Sequence, residues 1–413
     1  MMASSSPSNT VGIIGAGHAG VPMAAMASKA GLNVYLYADP GHRGSNFTEL
    51  LQQVDGSGET TITCEEAVVG SFKIKLALDL QTVVDKCGEL WNCLPEFAHD
   101  QLITELGSCN GLDNVIIGTV TANGFSLKAR NRIRPRGFID CAVAPTASRA
   151  TNGKAFVAGV KEGMYIGLFP RDLPQTALDN YRKIYPHQKI RMLPNAFGAL
   201  FANGNLWVHP GPLVLGLVAA EKQTPGLKFY PDVVGGKFGS NVATNVARAI
   251  CNLGKAYGIE VPEGLALMTF YYNFAAESLS DFTHRLPAYN AQSFMPAAEG
   301  MESNRYMVED PGLLNMLATL ADLAGLDNRP FRGVVDMVGM AMSADYETNV
   351  ADLSGLGMRG LSKADIMAAI NETKVEWDER WADVSKAPRA LAVDGQTSGG
   401  ETEGDKKFWH YMF

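Results

Sequence analysis

The stretch VGIIGAGHAG at residues 11–20 decides the fold of this chain. Residues 11–14 predict a short buried strand, and the glycines that follow at positions 15, 17 and 20 have the spacing G-x-G-x-x-G. In that spacing the first glycine takes a tight turn, the second lets a phosphate approach the backbone, and the third lets a helix pack on the strand. A helix over residues 21–30 and a second strand over 33–37 complete the pattern. The stretch therefore predicts a dinucleotide site; a glycine turn that binds nothing is the alternative.

The predicted cofactor-binding residues come from this loop and from a later strand end. Free N–H groups at the start of the helix would hold the phosphates. Loops after later strands commonly touch the rest of the cofactor, although packing alone also explains apolar residues there. The predicted contacts of these two places are Gly15, Ala16, Gly17, His18, Ala19, Gly20, Leu94 and Pro95.

Length and composition restrict the class of protein. The chain has 413 residues, of which 46% are hydrophobic and 19% charged, typical of a globular protein with two or three domains. A net charge of −8 argues against a nucleic-acid partner. No uninterrupted apolar run is long enough to span a membrane. The six cysteines include no C-x-x-C pair, which argues against a metal site and indicates a reducing, cytoplasmic setting.

The two halves of the chain differ in texture. The first half alternates strands and helices, which predicts an α/β fold with a doubly wound parallel sheet. Its further strands are predicted at residues 60–63, 73–77, 89–93, 114–119, 137–142, 155–160 and 164–168, and its helices at 80–86, 96–106 and 173–185. The second half predicts helices at 242–257, 263–279, 312–325, 330–343 and 362–381. We therefore expect a dinucleotide-binding domain over 1–192, a helical domain over 193–390 and a flexible tail over 391–413.

The end of the second strand bears on the choice between NAD and NADP. An acidic residue near this point usually bonds the adenosine ribose, and Asp39 could accept from its 2′-hydroxyl, which favours NAD. If Ala38 occupies that position instead, His42 and Arg43 could meet the 2′-phosphate of NADP. Both cofactors stay open, with a slight preference for NAD.

Two segments of the second half carry candidate catalytic groups. His209 lies between turn residues and an apolar run, and an imidazole has the pKa suited to proton transfer near neutrality. A histidine of the hydrophobic core is the alternative. In the segment 304–310, Arg305 offers a planar fork for a carboxylate and Asp310 could orient an imidazole. A helix start with acidic residues near its positive end would explain this segment equally well.

Three segments together resemble the opine dehydrogenase family of the octopine and nopaline type. They are GAGHAG at 15–20, NLWVHP at 205–210 and NRYMVED at 304–310, and a looser similarity covers 345–362. The resemblance implies a Rossmann-type domain followed by an all-helical domain, arranged as in 6-phosphogluconate dehydrogenase. It assigns proton transfer to His209, acting with Arg305 and Asp310. Thr146 matches the family only loosely as a substrate residue, and Trp207 is a candidate from its place in the helical domain.

The resemblance also implies a reaction, a reductive condensation. An α-keto acid, with pyruvate as the expected one, and the amine of an amino acid form an imine, which NAD(P)H reduces to a secondary amine dicarboxylate. Arg305 would clamp the keto-acid carboxylate, His209 would move protons, and Asp310 would fix the imidazole tautomer. The expected partners are these small molecules, and the expected assembly is a homodimer.

Two other functions stay open at this stage. A reductase of ketones, of the ketopantoate, 2-hydroxy acid or glycerol-3-phosphate type, would share the two-domain plan but use a lysine, for which Lys222, Lys228 and Lys237 are candidates. A regulatory protein could bind a dinucleotide without turnover. A requirement for an amine substrate distinguishes the condensation from both.

Overall fold

The computed structural model describes residues 9–291, 301, 304–346, 353 and 356–371. The predicted tail over 391–413 and the later part of the helix predicted over 362–381 lie outside these residues. The described residues form two compact units, one of residues 9–200 with residue 371 and the other within 201–370. The domain boundary predicted at residue 192 falls at the end of the last strand, a few residues before this division.

The first unit is built on an eleven-stranded sheet. Its strands are β1 Thr10–Ile14, β2 Asn33–Tyr37, β3 Glu59–Glu66, β4 Gly70–Ala77, β5 Glu89–Asn92, β6 Ile116–Val120, β7 Gly137–Cys141, β8 Thr146–Thr151, β9 Lys154–Val160, β10 Gly163–Phe169 and β11 Lys189–Met192. Their order across the sheet is β11-β10-β7-β6-β5-β1-β2-β4-β3-β9-β8. The central run β4-β2-β1-β5-β6-β7 is parallel and grows outward from β1, which confirms the predicted doubly wound fold.

Outside this central run the sheet is mixed, because β3–β9 and β10–β11 pair in parallel but three other pairs do not. β3 pairs antiparallel with β4, β8 with β9, and β7 with β10. A parallel partner needs a long crossover, whereas β3–β4 and β8–β9 are joined by short turns. Asn152 and Gly153 supply two positive φ angles, +51° and +74°, between β8 and β9, as a tight hairpin requires. β8 itself was not predicted.

The described elements after β11 are helices, as expected for the second half. The α-helices of the chain are α1 Gly20–Lys29, α2 Ser45–Gln52, α3 Leu80–Lys86, α4 His99–Gly107, α5 Phe125–Ala129, α6 Asp179–Ile184, α7 Gly198–Phe201, α8 Asn205–Val208, α9 Pro210–Glu221, α10 Lys237–Ala256, α11 Gly264–Tyr272, α12 Leu279–Arg285, α13 Pro287–Ala291, α14 Arg305–Val308, α15 Asp310–Leu323, α16 Arg329–Met342 and α17 Lys363–Ile370. A π-helix spans Phe229–Val234.

Several predicted helices are shorter than the sequence pattern indicated. The helix predicted over 263–279 ends at Tyr272, because Asn273 adopts a left-handed conformation with φ of +47°. The helices predicted over 96–106 and 173–185 begin as 3₁₀ turns, Glu96–Ala98 and Gln175–Leu178. α9 was missed, since its sequence is apolar on every face and has no period to detect.

The core of the first unit joins its helices to the central strands. Buried residues of α3, α4 and α5 pack with residues of β1, β5, β6 and β7 in one cluster. Gly12 of β1 permits this packing, because a Cβ there would lie 2.2 Å from Val83 and 2.7 Å from Leu90. The cluster holds β1, and with it the glycine turn, in place. No described helix combines the length and apolar character needed to cross a bilayer.

Candidate active site

The glycine turn has a backbone that side chains would disrupt. Gly15 follows β1 with φ of +102°, and its N–H donates to the carbonyl of Tyr37 at 2.8 Å. A Cβ at Gly20 would lie 1.8 Å from the carbonyl oxygen of Gly15, so only glycine fits where α1 begins. A turn with glycine at positions 15, 17 and 20 that leads into a helix N-terminus fits a dinucleotide pyrophosphate.

Asn46 fastens the turn from α2. Its buried side chain donates to the carbonyl of Ala16 at 3.1 Å and accepts from the N–H of Gly153 at 3.1 Å. The amide thereby links the glycine turn to the hairpin between β8 and β9. The sequence pattern did not single out Asn46, because its partners lie far away along the chain and it belongs to no motif.

β8 also holds the glycine turn in place, by two hydrogen bonds to His18. The N–H of Ala150 donates to Nδ1 of His18 at 2.9 Å, and Oγ of Ser148 donates to the His18 carbonyl at 2.8 Å. The hydroxyl of Thr146 lies 2.9 Å from that of Ser148. Thr146, which was predicted as a substrate residue, is buried, and its hydroxyl lies next to that of Ser148.

Asp39 lies after β2 and is held by three hydrogen bonds. The N–H of Gly41 donates to Oδ1 at 3.0 Å, while Nδ1 of His42 and Nε2 of Gln101 lie 2.6 and 2.8 Å from Oδ2. Partial burial raises the pKa of Asp39, but the hydrogen bonds outweigh burial and the net pKa is lowered. Asp39 is therefore a carboxylate at neutral pH.

The neighbouring candidates lie after β2 and after β5. Arg43 donates to the carbonyl of Leu78 at 3.0 Å, and its guanidinium lies 5.1 Å from the ring of Phe47. Leu94 lies against the turn, since its Cδ2 would be 2.8 Å from a Cβ at Gly15. Pro95 begins the 3₁₀ turn that leads into α4.

His209 is the centre of a buried polar cluster in the second unit. It precedes α9, is 2% exposed, and its Nδ1 lies 3.0 Å from Oδ2 of Asp310, the first residue of α15. Nε2 lies 3.0 Å from the hydroxyl of Tyr230. The structure thus brings together a histidine and an aspartate that are far apart in sequence.

Aromatic rings enclose the imidazole. Tyr306 stacks on His209 with the ring centroids 3.7 Å apart and the planes 20° apart. Tyr230, in the π-helix, stacks on Tyr289 at 4.0 Å. Sequence reasoning missed Tyr230 as a site residue, because the π-helix that aims its hydroxyl has no signature in a single sequence.

Electrostatics distinguish the members of this cluster. Burial raises the pKa of Asp310, and the nearby charge of Arg305 lowers it in part, so that the net pKa is raised. Burial also raises the pKa of Tyr230 well above its ordinary value. Tyr230 is therefore a protonated hydroxyl at neutral pH, and the raised pKa of Asp310 makes this carboxyl easier to protonate than an ordinary aspartate.

Arg305 lies beside the cluster and is exposed. Its guanidinium carbon is 5.3 Å from the centroid of Tyr306, the ring that stacks on His209. Within the described ranges, Arg305 forms no salt bridge with a carboxylate of the chain. Arg305 therefore has its fork of N–H donors available for an anionic ligand.

Trp207 borders a cavity of the second unit. The side chain is 2% exposed, and the cavity has a volume of about 850 Å³. Polar side chains of α10 and of the start of α12 form much of its wall, among them Ser240, Asn241, Thr244, Asn245, Ser278 and Ser280. Lys237, one of the three lysines considered for ketone reduction, lines this cavity. It is not among the partners of His209, whose two ring nitrogens face Asp310 and Tyr230.

Comparison with known proteins finds similar sequences among opine dehydrogenases. Residues 192–342 match the family model described as NAD/NADP octopine/nopaline dehydrogenase, alpha-helical domain. The chain is 29% identical to a D-nopaline dehydrogenase of Agrobacterium vitis over 154 residues, covering 37% of this chain and 36% of the relative. It is 23% identical to the D-nopaline dehydrogenase of Agrobacterium tumefaciens (strain T37) over 350 residues, covering 77% and 82%.

Solved structures share the fold. An octopine dehydrogenase with NADH and L-arginine has a TM-score of 0.67 and 14% identity, covering 87% of this chain and 98% of that chain. A yersinopine dehydrogenase with NADP⁺ has a TM-score of 0.60 and 16% identity, covering 91% and 99%. The family match includes His209 and Arg305, and the named relatives extend it over most of the chain. The chain is similar to opine dehydrogenases over most of its length, and these similarities indicate an NAD(P)-dependent oxidoreductase.

Proposed function

We propose that the chain catalyses the reductive condensation of an α-keto acid with the amine of an amino acid to give a secondary amine dicarboxylate. The observation that carries this proposal is the buried Asp310–His209 pair, which has the exposed cation of Arg305 beside it. The pair can move protons, and the cation can hold a carboxylate. The relatives named nopaline, octopine and opine dehydrogenase support the same reaction class.

The first unit would hold the cofactor. The turn containing Gly15, Gly17 and Gly20 fits a pyrophosphate, and Asp39 can accept from a ribose hydroxyl while Leu94 and Pro95 line the adjoining strand end. The cofactor, when bound, supplies the hydride that reduces the imine. We favour NAD over NADP, because an ionised Asp39 would repel a 2′-phosphate, although Arg43 and His42 oppose this preference.

The condensation itself needs proton transfer, which we assign to His209. The amine nitrogen loses protons as it attacks the carbonyl carbon, and the carbonyl oxygen gains protons as it leaves as water. An ionised Asp310 accepts from Nδ1 of His209, so it fixes the tautomer and stabilises the imidazolium. The imidazole can then take up and return protons on its Nε2 side.

Arg305 would bind the keto-acid carboxylate. Replacing it with glutamine should raise KM for the keto acid by about 10–100-fold, because a hydrogen bond to a charged group contributes about 1.5–3 kcal/mol. KM for the amine should change little. The matched control is Arg329→Gln, an exposed arginine of the same unit that pairs with Asp327 at 2.7 Å. An unchanged KM for the keto acid in Arg305→Gln would refute this role.

A matrix of substrates tests the reaction. Keto acids, including pyruvate, are combined with amino acids and taurine, and the absorbance of NADH or NADPH is followed. We expect oxidation only when a keto acid and an amine are both present, and a higher kcat/KM with NADH. Oxidation that needs no amine would identify a ketone reductase, and binding without any oxidation would identify a regulatory protein.

Other expectations stay predictions. They include pyruvate as the keto acid, Trp207 and Thr146 as substrate residues, a homodimer, and a cytoplasmic location. For Trp207, the polar cavity that it borders gives space beside α8, the helix that leads directly to His209. For Thr146, the hydroxyl is already engaged with Ser148, which favours a structural part.

A further inference from the structure

His209 has no ring nitrogen open to a substrate. Nδ1 faces Asp310, Nε2 faces the hydroxyl of Tyr230, and the ring of Tyr306 covers one face at 3.7 Å. The residue is only 2% exposed. A group that transfers protons to a substrate must lie within hydrogen-bond reach of the reacting atom. In this arrangement the imidazole reaches outward only through its neighbours.

Tyr230 is the neighbour built to extend that reach. Tyr230 is partly exposed, unlike His209 and Asp310, so it is the outer residue of a chain that runs Asp310, His209, Tyr230. The π-helix sets its position, and π-helical turns are frequent at functional sites. Stacking on Tyr289, with centroids 4.0 Å apart and planes 14° apart, restricts the ring further.

We propose that Tyr230 is a catalytic residue whose hydroxyl contacts the reacting atoms and relays protons between them and Nε2 of His209. The inference rests on the proposed condensation. An amine bound as an ammonium ion loses one proton before its nitrogen attacks the carbonyl carbon, and a second proton after the C–N bond has formed. Each proton passes through the Tyr230 hydroxyl to His209 and returns by the same path to the carbonyl oxygen. The C–O bond then breaks and the oxygen leaves as water, which yields an iminium ion with the original charge.

The relay never needs a free phenolate. As the hydroxyl gives its proton to Nε2 it takes one from the substrate, and the reverse exchange returns it. This concerted exchange suits a tyrosine whose buried hydroxyl resists ionisation. The competing possibility is that Tyr230 merely covers His209 and moves aside when substrate binds.

Tyr230→Phe separates these possibilities. It removes one oxygen and keeps the ring that stacks on Tyr289. The relay predicts that kcat falls by about 10²-fold or more, with KM for the keto acid nearly unchanged. The matched control is Tyr257→Phe, which removes the hydroxyl bond to the Leu320 carbonyl, 3.1 Å long, in the same unit. The control should keep wild-type kcat.

A measurement independent of turnover accompanies the kinetics. The ¹⁵N resonance of His209 Nε2, assigned by comparison with His209→Gln, should shift in Tyr230→Phe and stay in place in Tyr257→Phe. A shifted resonance with full turnover would overturn the relay and leave Tyr230 as a cover. An equal loss of kcat in both tyrosine variants would overturn it too. If the wild-type enzyme oxidised NAD(P)H with a keto acid and no amine, the proposed condensation would be refuted. The relay would still be tested, because the kcat of Tyr230→Phe would then be measured for that keto-acid reduction.

Discussion

Replacing His209 with alanine should lower kcat by about 10²–10⁴-fold, the usual range for loss of a general acid–base group. The buried carboxylate of Asp310 loses its 3.0 Å partner in this variant, so the free energy of unfolding should fall as well. His209→Gln avoids most of that cost, since an amide nitrogen can still donate to Asp310. Both variants should show the loss of kcat, measured as oxidation of NAD(P)H with keto acid and amine.

The coupling between the two residues gives a sharper control. Asp310→Asn should lower kcat because an amide favours the wrong imidazole tautomer. The double variant His209→Gln with Asp310→Asn should be scarcely slower than His209→Gln alone, since groups that act as a unit are not additive. Binding of NADH, followed by fluorescence, should be retained throughout. Near-full turnover in a folded His209→Gln variant would exclude His209 from proton transfer.

Gly20→Ala should abolish measurable cofactor binding and lower Tm. The new methyl would lie 1.8 Å from the carbonyl oxygen of Gly15, so the backbone must move. Overpacking typically costs about 1–3 kcal/mol, and here the obstacle is backbone rather than a flexible side chain. The shift would also displace the N–H groups at the start of α1 that are expected to hold the phosphates.

Gly56→Ala is the matched control, because a Cβ there meets no atom within 4 Å. It should keep the wild-type Tm and the wild-type Kd for NADH, both measured on the purified full chain. If Gly20→Ala also kept both values, the glycine turn would not be the cofactor cradle.

Local patterns predicted much of the fold. The glycine spacing and apolar runs located β1, β2 and the strands of the parallel core, and α3 was predicted at its observed bounds, Leu80–Lys86. These elements are specified by neighbours in sequence. The hairpin of β8 and β9 was not recognised, because its pairing is decided by a two-residue turn and by distant partners.

The site was only partly accessible to sequence reasoning. His209, Arg305 and Asp310 became candidates through residue chemistry and through resemblance, but no periodicity links residues that lie so far apart. Tyr230 and Asn46 escaped notice for a physical reason. Each makes its contacts with residues distant in sequence, Tyr230 from a π-helix and Asn46 through both ends of a buried amide. The direction of these side chains is set by tertiary structure and leaves no local pattern in the sequence.

The position of the transferred hydrogen tests the central claim most directly. The enzyme is given NADH carrying deuterium at the transferable position, together with pyruvate and the best amine of the matrix, and the products are examined by mass spectrometry. We predict one deuterium on the carbon that joins the carboxylate to the new secondary amine. Deuterium found instead in the hydroxy acid derived from pyruvate would contradict the account.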